Sequence, residues 1–193
     1  MDSVFGISGK EWAIVVADSS VNRSIFNLKQ GEDKVKQLNE KSVLAMSGEQ
    51  TDRDTYGSLV LRNLKLNEFK MGHRLSLEAQ AQFARTLMAE ALRKGPYQVN
   101  CLMGGYCDLD QEAKLYWMDY LGSLQKVQKG AQGYASYFVS SVLEEHFKAD
   151  MTLDEGKKCI DDCIKELRTR FIISHPNFIM KIITKNGIEV VNI

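Results

Sequence analysis

The chain has 193 residues, 44% of them hydrophobic and 26% charged, and its 25 basic and 25 acidic side chains cancel. At this length roughly 70% of the unfolded surface is buried on folding, and the zero balance excludes the basic footprint of a nucleic-acid or anionic-membrane binder. Near-zero net charge also removes one protection against association, which favours a chain that lives in an assembly.

Strand signals come first. Ser3-Val4-Phe5-Gly6-Ile7 alternates, and Gly9-Lys10 turns the chain into Trp12-Ala13-Ile14-Val15-Val16-Ala17, a run apolar on both faces, as for a strand covered on each side. Asp18 ends that run. Ser24 to Leu28 and Lys34 to Leu38 read as a short hairpin around Lys29-Gln30-Gly31-Glu32, and Ser42 to Met46 follows, so a five-strand meander is the simplest expectation.

Two long helices come next. Thr51 with Asp54 reads as an N-cap with an acidic first turn, and Tyr56, Leu59, Val60 and Leu64 fall at helical spacing. Ser76 opens the second helix, whose Phe83, Ala84, Leu87, Met88, Ala91 and Leu92 form one stripe before Gly95-Pro96 stops it. Strands return at Tyr97 to Met103, Lys114 to Tyr120 and Ser123 to Val127. Gly133 then precedes a helix carrying Tyr134, Phe138, Val142, Leu143 and Phe147. Thr152-Leu153-Asp154-Glu155 is a capping box for a fourth helix with Ile160, Cys163, Ile164 and Leu167 inward. The chain closes on a hairpin, Phe178 to Thr184 and Ile188 to Val191, around Asn186-Gly187.

Two clusters of strands and two pairs of amphipathic helices predict an α+β fold. Its form is a four-layer αββα sandwich, two antiparallel sheets face to face with helix pairs outside, and one domain over 1–193. Gly104-Gly105 has no helix and no Lys-Ser/Thr pair behind it, so neither a nucleotide nor any other cofactor is expected. Cys101, Cys107, Cys159 and Cys163 are expected to stay reduced, and no histidine is spaced with Cys159 and Cys163 as a metal site requires. No apolar run approaches the ~18 residues of a membrane span and no leader is evident, so the cytoplasm or nucleus is the expected place.

Specific tracts narrow the fold. Pro96-Tyr97-Gln98-Val99-Asn100, Met103-Gly104-Gly105-Tyr106-Cys107-Asp108, Leu115-Tyr116, Asp119-Tyr120-Leu121-Gly122, Gly133-Tyr134, Arg170-Phe171 and Lys185-Asn186-Gly187-Ile188 are spaced along nearly the whole chain. Together they resemble the 20S proteasome beta subunits, a branch of the amino-terminal-nucleophile hydrolases, and within them the non-catalytic fourth-position type. Cys107 departs from the Gly-Tyr-Asp that the family more often runs. The resemblance implies a place beside other alpha and beta subunits, in seven-membered rings of a 28-subunit particle that degrades ubiquitin-tagged proteins.

It also implies which residues stand where active members keep their chemistry. Those members attack with an amino-terminal threonine, helped by a lysine that an aspartate positions. Asp18 matches that aspartate and Lys34 that lysine, whereas the nucleophile's place falls on Asp2, since Gly6 matches the glycine four residues after the threonine. A serine before the third helix becomes Tyr134, an aspartate after the fourth becomes Phe171, and the serine just beyond it is kept as Ser174.

An ionised Asp2 has no hydroxyl proton to give and attacks amides poorly, and two flanking carboxylates favour the ammonium form of Lys34 over a base. Met1 would also hold the amine away from the site. No catalytic residue is therefore expected, with Asp18 and Lys34 left as a buried ion pair. The alternative is an active threonine/serine-type peptidase freed by a cut that leaves Ser3 first, although no glycine precedes that bond. A third reading is a homo-oligomeric interaction protein.

Bland readings fit other conspicuous residues. His73 reads as a loop histidine, and His146 beside Glu144 and Glu145 as a solvated face. Tyr116, Trp117, Tyr120, Tyr134, Tyr137 and Phe138 are either core or a subunit contact. The first strand and the last hairpin are the edges expected to want a neighbour.

Overall fold

The computed structural model describes residues 2–23 and 26–193. One antiparallel sheet is built from β1 (Ser3–Ser8), β2 (Trp12–Asp18), β10 (Lys129–Gly133), β11 (Phe178–Thr184) and β12 (Gly187–Asn192), in the order β10-β1-β2-β11-β12. A second contains β5 (Val35–Asn39), β6 (Ser42–Gly48), β7 (Val99–Cys107), β8 (Glu112–Met118) and β9 (Leu124–Val127), in chain order. The helices are α1 (Gln50–Met71), α2 (Leu77–Ala91), α3 (Ser136–His146) and α4 (Leu153–Arg170).

Strand alternation builds the layers. In β1 and β2, Val4, Ala13, Val15 and Ala17 point one way and meet Val35, Val43, Ala45, Leu102 and Leu115 of the second sheet. Their neighbours Phe5, Ile7, Ile14 and Val16 point the other way, onto Val139, Leu143, Ile160, Ile164 and Leu167 of α3 and α4. Leu44, Met46, Cys101 and Met103 do the same for the second sheet, against Tyr56, Val60, Ala81, Ala84 and Met88 of α1 and α2. Three apolar interfaces thus separate four layers, the αββα sandwich expected from the sequence. Runs apolar on both faces are buried on both faces, as in β2, where every residue is buried.

Several local expectations need correction. The opening strands do not form one meander. β1 and β2 pair in the first sheet, and β5 and β6 in the second. The strand read from Ser24 begins, in the described part, as β4 (Phe26–Gln30), and it pairs back with β3 (Ser20–Arg23) rather than forward with β5. Physical cause is plain: β4 is exposed throughout, so it cannot join a strand whose Val35 lies between the sheets. Ser24 and Ile25 themselves lie outside the described residues.

β10 was missed because Lys129-Gly130-Ala131-Gln132-Gly133 lacks β-branched residues; it pairs with β1, so the first strand is interior and only β12 of the expected edges is one. The N-cap of α1 is Glu49, whose carboxylate accepts from the Asp52 N–H, not Thr51. In the last hairpin Thr184 pairs with Gly187, which leaves Lys185 and Asn186 as the two turn residues.

Other expectations hold. Ser76 caps α2, and Thr152 with Glu155 forms the reciprocal capping box of α4. Replacing Thr152 with alanine is expected to lower stability by about 1 kcal/mol, read from the denaturation midpoint, because the Glu155 N–H loses its acceptor at the helix start. All four cysteines are buried free thiols, with Cys159 and Cys163 on the core-facing side of α4. Among the aromatic residues left open above, Tyr116 is buried, whereas Tyr134 and Tyr137 are exposed, Tyr137 by 82%.

Candidate functional site

Strand and helix ends converge where β1 starts. Asp2 stands just ahead of β1, Asp18 closes β2, Lys34 precedes β5, Gly48 ends β6 and Arg53 lies in the first turn of α1. Asp2, Asp18, Lys34 and Arg53 are each at most 8% exposed. The Lys34 ammonium sits 2.7 Å from Asp2 Oδ1 and 2.8 Å from Asp18 Oδ2. Arg53 donates to Asp2 Oδ2 at 2.5 Å and, through its other terminal nitrogen, to Glu32 at 2.8 Å. Three carboxylates and two cations therefore form one continuous cluster, buried except at the half-buried Glu32.

The backbone completes it. Asp18 Oδ1 accepts the Ser3 N–H at 2.7 Å, and Oδ2 accepts the Ser20 N–H at 3.1 Å. Asp2 Oδ2 also accepts the Gly48 N–H at 2.9 Å. Gly48 has φ +139°, and a Cβ there would stand 2.0 Å from the Gln98 carbonyl oxygen, so only glycine can present that N–H. Gly133 serves likewise from the other side: φ is +69°, and a Cβ would come within 2.3 Å of the Asp2 carbonyl oxygen, which accepts the Tyr134 N–H.

Charge sets the ionisation. Burial alone would push Asp2 upward, but Lys34, Arg53 and the Gly48 N–H outweigh it and bring the carboxyl down to about 2. Asp18 is likewise opposed by burial, yet His175 and Lys34 hold it below the usual carboxylate range. His175 Nδ1 lies 3.3 Å from Asp18 Oδ2 without the alignment of a hydrogen bond, and the ring is stacked on Phe171 and edge-on to Phe178.

Because the folded carboxyl of Asp2 ionises below its unfolded value of 3.8, its contribution is fully present above that pH and is lost as pH falls towards about 2. Acid titration of the unfolding midpoint is expected to show a loss of about 2 kcal/mol across this window, largely absent in Asp2→Asn.

Asp2, Asp18 and Lys34 are thus brought together as expected, and the Asp18–Lys34 pair is direct. Met1 lies outside the described residues. Ser174 is exposed, and the polar side chain that this bend sends to Asp18 is His175. Phe171 is packed against His175 and Tyr134. Sequence reasoning missed Arg53, Glu32 and His175. Arg53 had a signal: it continues the buried stripe of Tyr56, Gly57, Val60 and Leu64, where a charged residue requires a buried partner.

The hydroxyls of Ser3, Ser20 and Ser47 are buried without a hydrogen-bond partner among the described residues, so none is paired with Lys34 as a base.

Residues 2–183 match the family model described as "Proteasome subunit". The chain is 45% identical over 187 residues to "Proteasome subunit beta type-2-B" of Arabidopsis thaliana, covering 97% of this chain and 94% of that protein. It is 36% identical to "Proteasome subunit beta type-2" of Dictyostelium discoideum, over 98% and 96% of the two chains. With "Proteasome subunit beta type-4" of Saccharomyces cerevisiae the identity is 33%, over 100% and 98%.

Proposed function

The chain belongs to the proteasome subunit family, and from that premise we propose that it is a beta-type subunit of the 20S core that builds the chamber wall and performs no peptide cleavage itself. It sits in a seven-membered beta ring between other beta subunits, against an alpha ring on one side and a second beta ring on the other. The particle works in ubiquitin-dependent degradation in cytoplasm and nucleus. No cofactor or metal takes part.

One observation carries the reading: the position of the nucleophile holds a carboxylate whose oxygens are both engaged, by Lys34 on one and by Arg53 and the Gly48 N–H on the other. The side chain that would have to activate a nucleophile is bound between Asp2 and Asp18. Trimming to Ser3 does not restore the chemistry. Its hydroxyl contacts no base, and its N–H is engaged by Asp18.

Native mass spectrometry of particles captured through a tag on this chain tests the assembly. Two copies of the chain among distinct proteasome subunits are expected; recovery of the chain alone as a homo-oligomer would overturn the proposal.

A further inference from the structure

The contacts around Asp2 are those of a ligand in a receptor. Its two oxygens take three donors from three separate segments: Lys34 Nζ at 2.7 Å, the Gly48 N–H at 2.9 Å and Arg53 at 2.5 Å. Each donor is held independently of Asp2. Lys34 keeps Asp18 at 2.8 Å, and Arg53 keeps Glu32 at 2.8 Å. Gly48 cannot rotate away, because its backbone is fixed against Gln98, and its N–H lies just ahead of the N-terminus of α1, where the helix dipole favours negative charge. Donors that stay in place without their acceptor are preorganised to take another.

We propose that this is a carboxylate-binding site occupied in cis by Asp2, and that it takes a small external carboxylate once the Asp2 side chain is gone. The fitting ligand is acetate, which is the aspartate side chain cut at the Cα–Cβ bond. Because Asp18 and Glu32 already neutralise much of the charge on Lys34 and Arg53, the affinity is modest. This inference rests on the donor geometry and holds whichever assembly the chain enters.

The test is the unfolding midpoint of the full chain carrying Asp2→Gly, titrated with sodium acetate at constant ionic strength against a bulky sulfonate. A saturating rise is expected, with half the effect on the order of millimolar acetate, and a smaller response to propionate, which is too long. The unmutated chain should stay flat, since its site is filled. Adding Arg53→Gln to Asp2→Gly should weaken the apparent affinity at least tenfold. A flat response in Asp2→Gly, an equal rise in the unmutated chain, or indifference to Arg53→Gln overturns the proposal. If Asp2→Gly does not fold in plain buffer, the titration is read as recovery of folded chain, and no recovery at any acetate concentration overturns it as well.

Discussion

Lys34→Ala will lower stability by about 3–5 kcal/mol, the largest loss expected from any polar substitution in the chain. The ammonium is buried between Asp2 and Asp18 and, among the described residues, is the only side chain that bridges them. Removing it leaves two buried carboxylates facing each other's charge, Asp2 still held by Arg53 and the Gly48 N–H but Asp18 left with backbone donors and the unaligned His175 ring. Chemical denaturation of the variant gives the loss directly. Adding Asp18→Asn should recover part of it, because one uncompensated charge then disappears; a double variant no more stable than Lys34→Ala would show that the loss comes from packing rather than charge.

Phe178→Ala is expected to cost about 3–5 kcal/mol through the cavity it leaves. Phe178 is fully buried, lies edge-on to Phe5 at 6.3 Å between ring centres, and pairs across the sheet with Asp18. It also meets the His175 ring edge-on, while Phe171 stacks on that ring. The same substitution should therefore loosen the charged cluster, and the acid-dependent part of the unfolding curve should shrink with it. A loss below about 1 kcal/mol would mean that the core collapses around the site and that the layer beneath α4 is softer than its packing indicates.

Much of this architecture was legible in the residues. The apolar stripes of α2 and α4, the doubly apolar β2 and the capping box at Thr152 are local signals that appear in the structure, whereas the stripe expected to start at Tyr134 does not: Tyr134 lies exposed ahead of α3, which buries Val139 and Leu143. Strand partnership was less legible. Whether β5 pairs with β4 or β6 depends on which sheet buries Val35, a long-range property that a hairpin-like turn sequence does not encode. β10 shows the same limit, since its five residues are a strand only because β1 offers them a ladder.

The site divides in the same way. Asp2, Asp18 and Lys34 came from the resemblance and stand together. Arg53 was readable in principle as a charge on a buried stripe, whereas His175 reaches Asp18 only because Phe178 pairs with Asp18 and carries the preceding bend over it. The two additions change the chemistry. An isolated Asp18–Lys34 pair would look like a site short of one hydroxyl, but Arg53 and Glu32 convert it into a closed ionic cluster that spans β1, β2 and α1. Such a cluster is costly to break singly and holds its groups in one geometry.

The proposed lack of nucleophilic chemistry is tested most directly by treating intact particles with an epoxyketone that traps amino-terminal hydroxyl nucleophiles and weighing every subunit. Adducts are expected on sibling chains, with this one unmodified and still carrying Asp2. An adduct here, on a polypeptide whose mass places Ser3 at its amino terminus, would contradict the account.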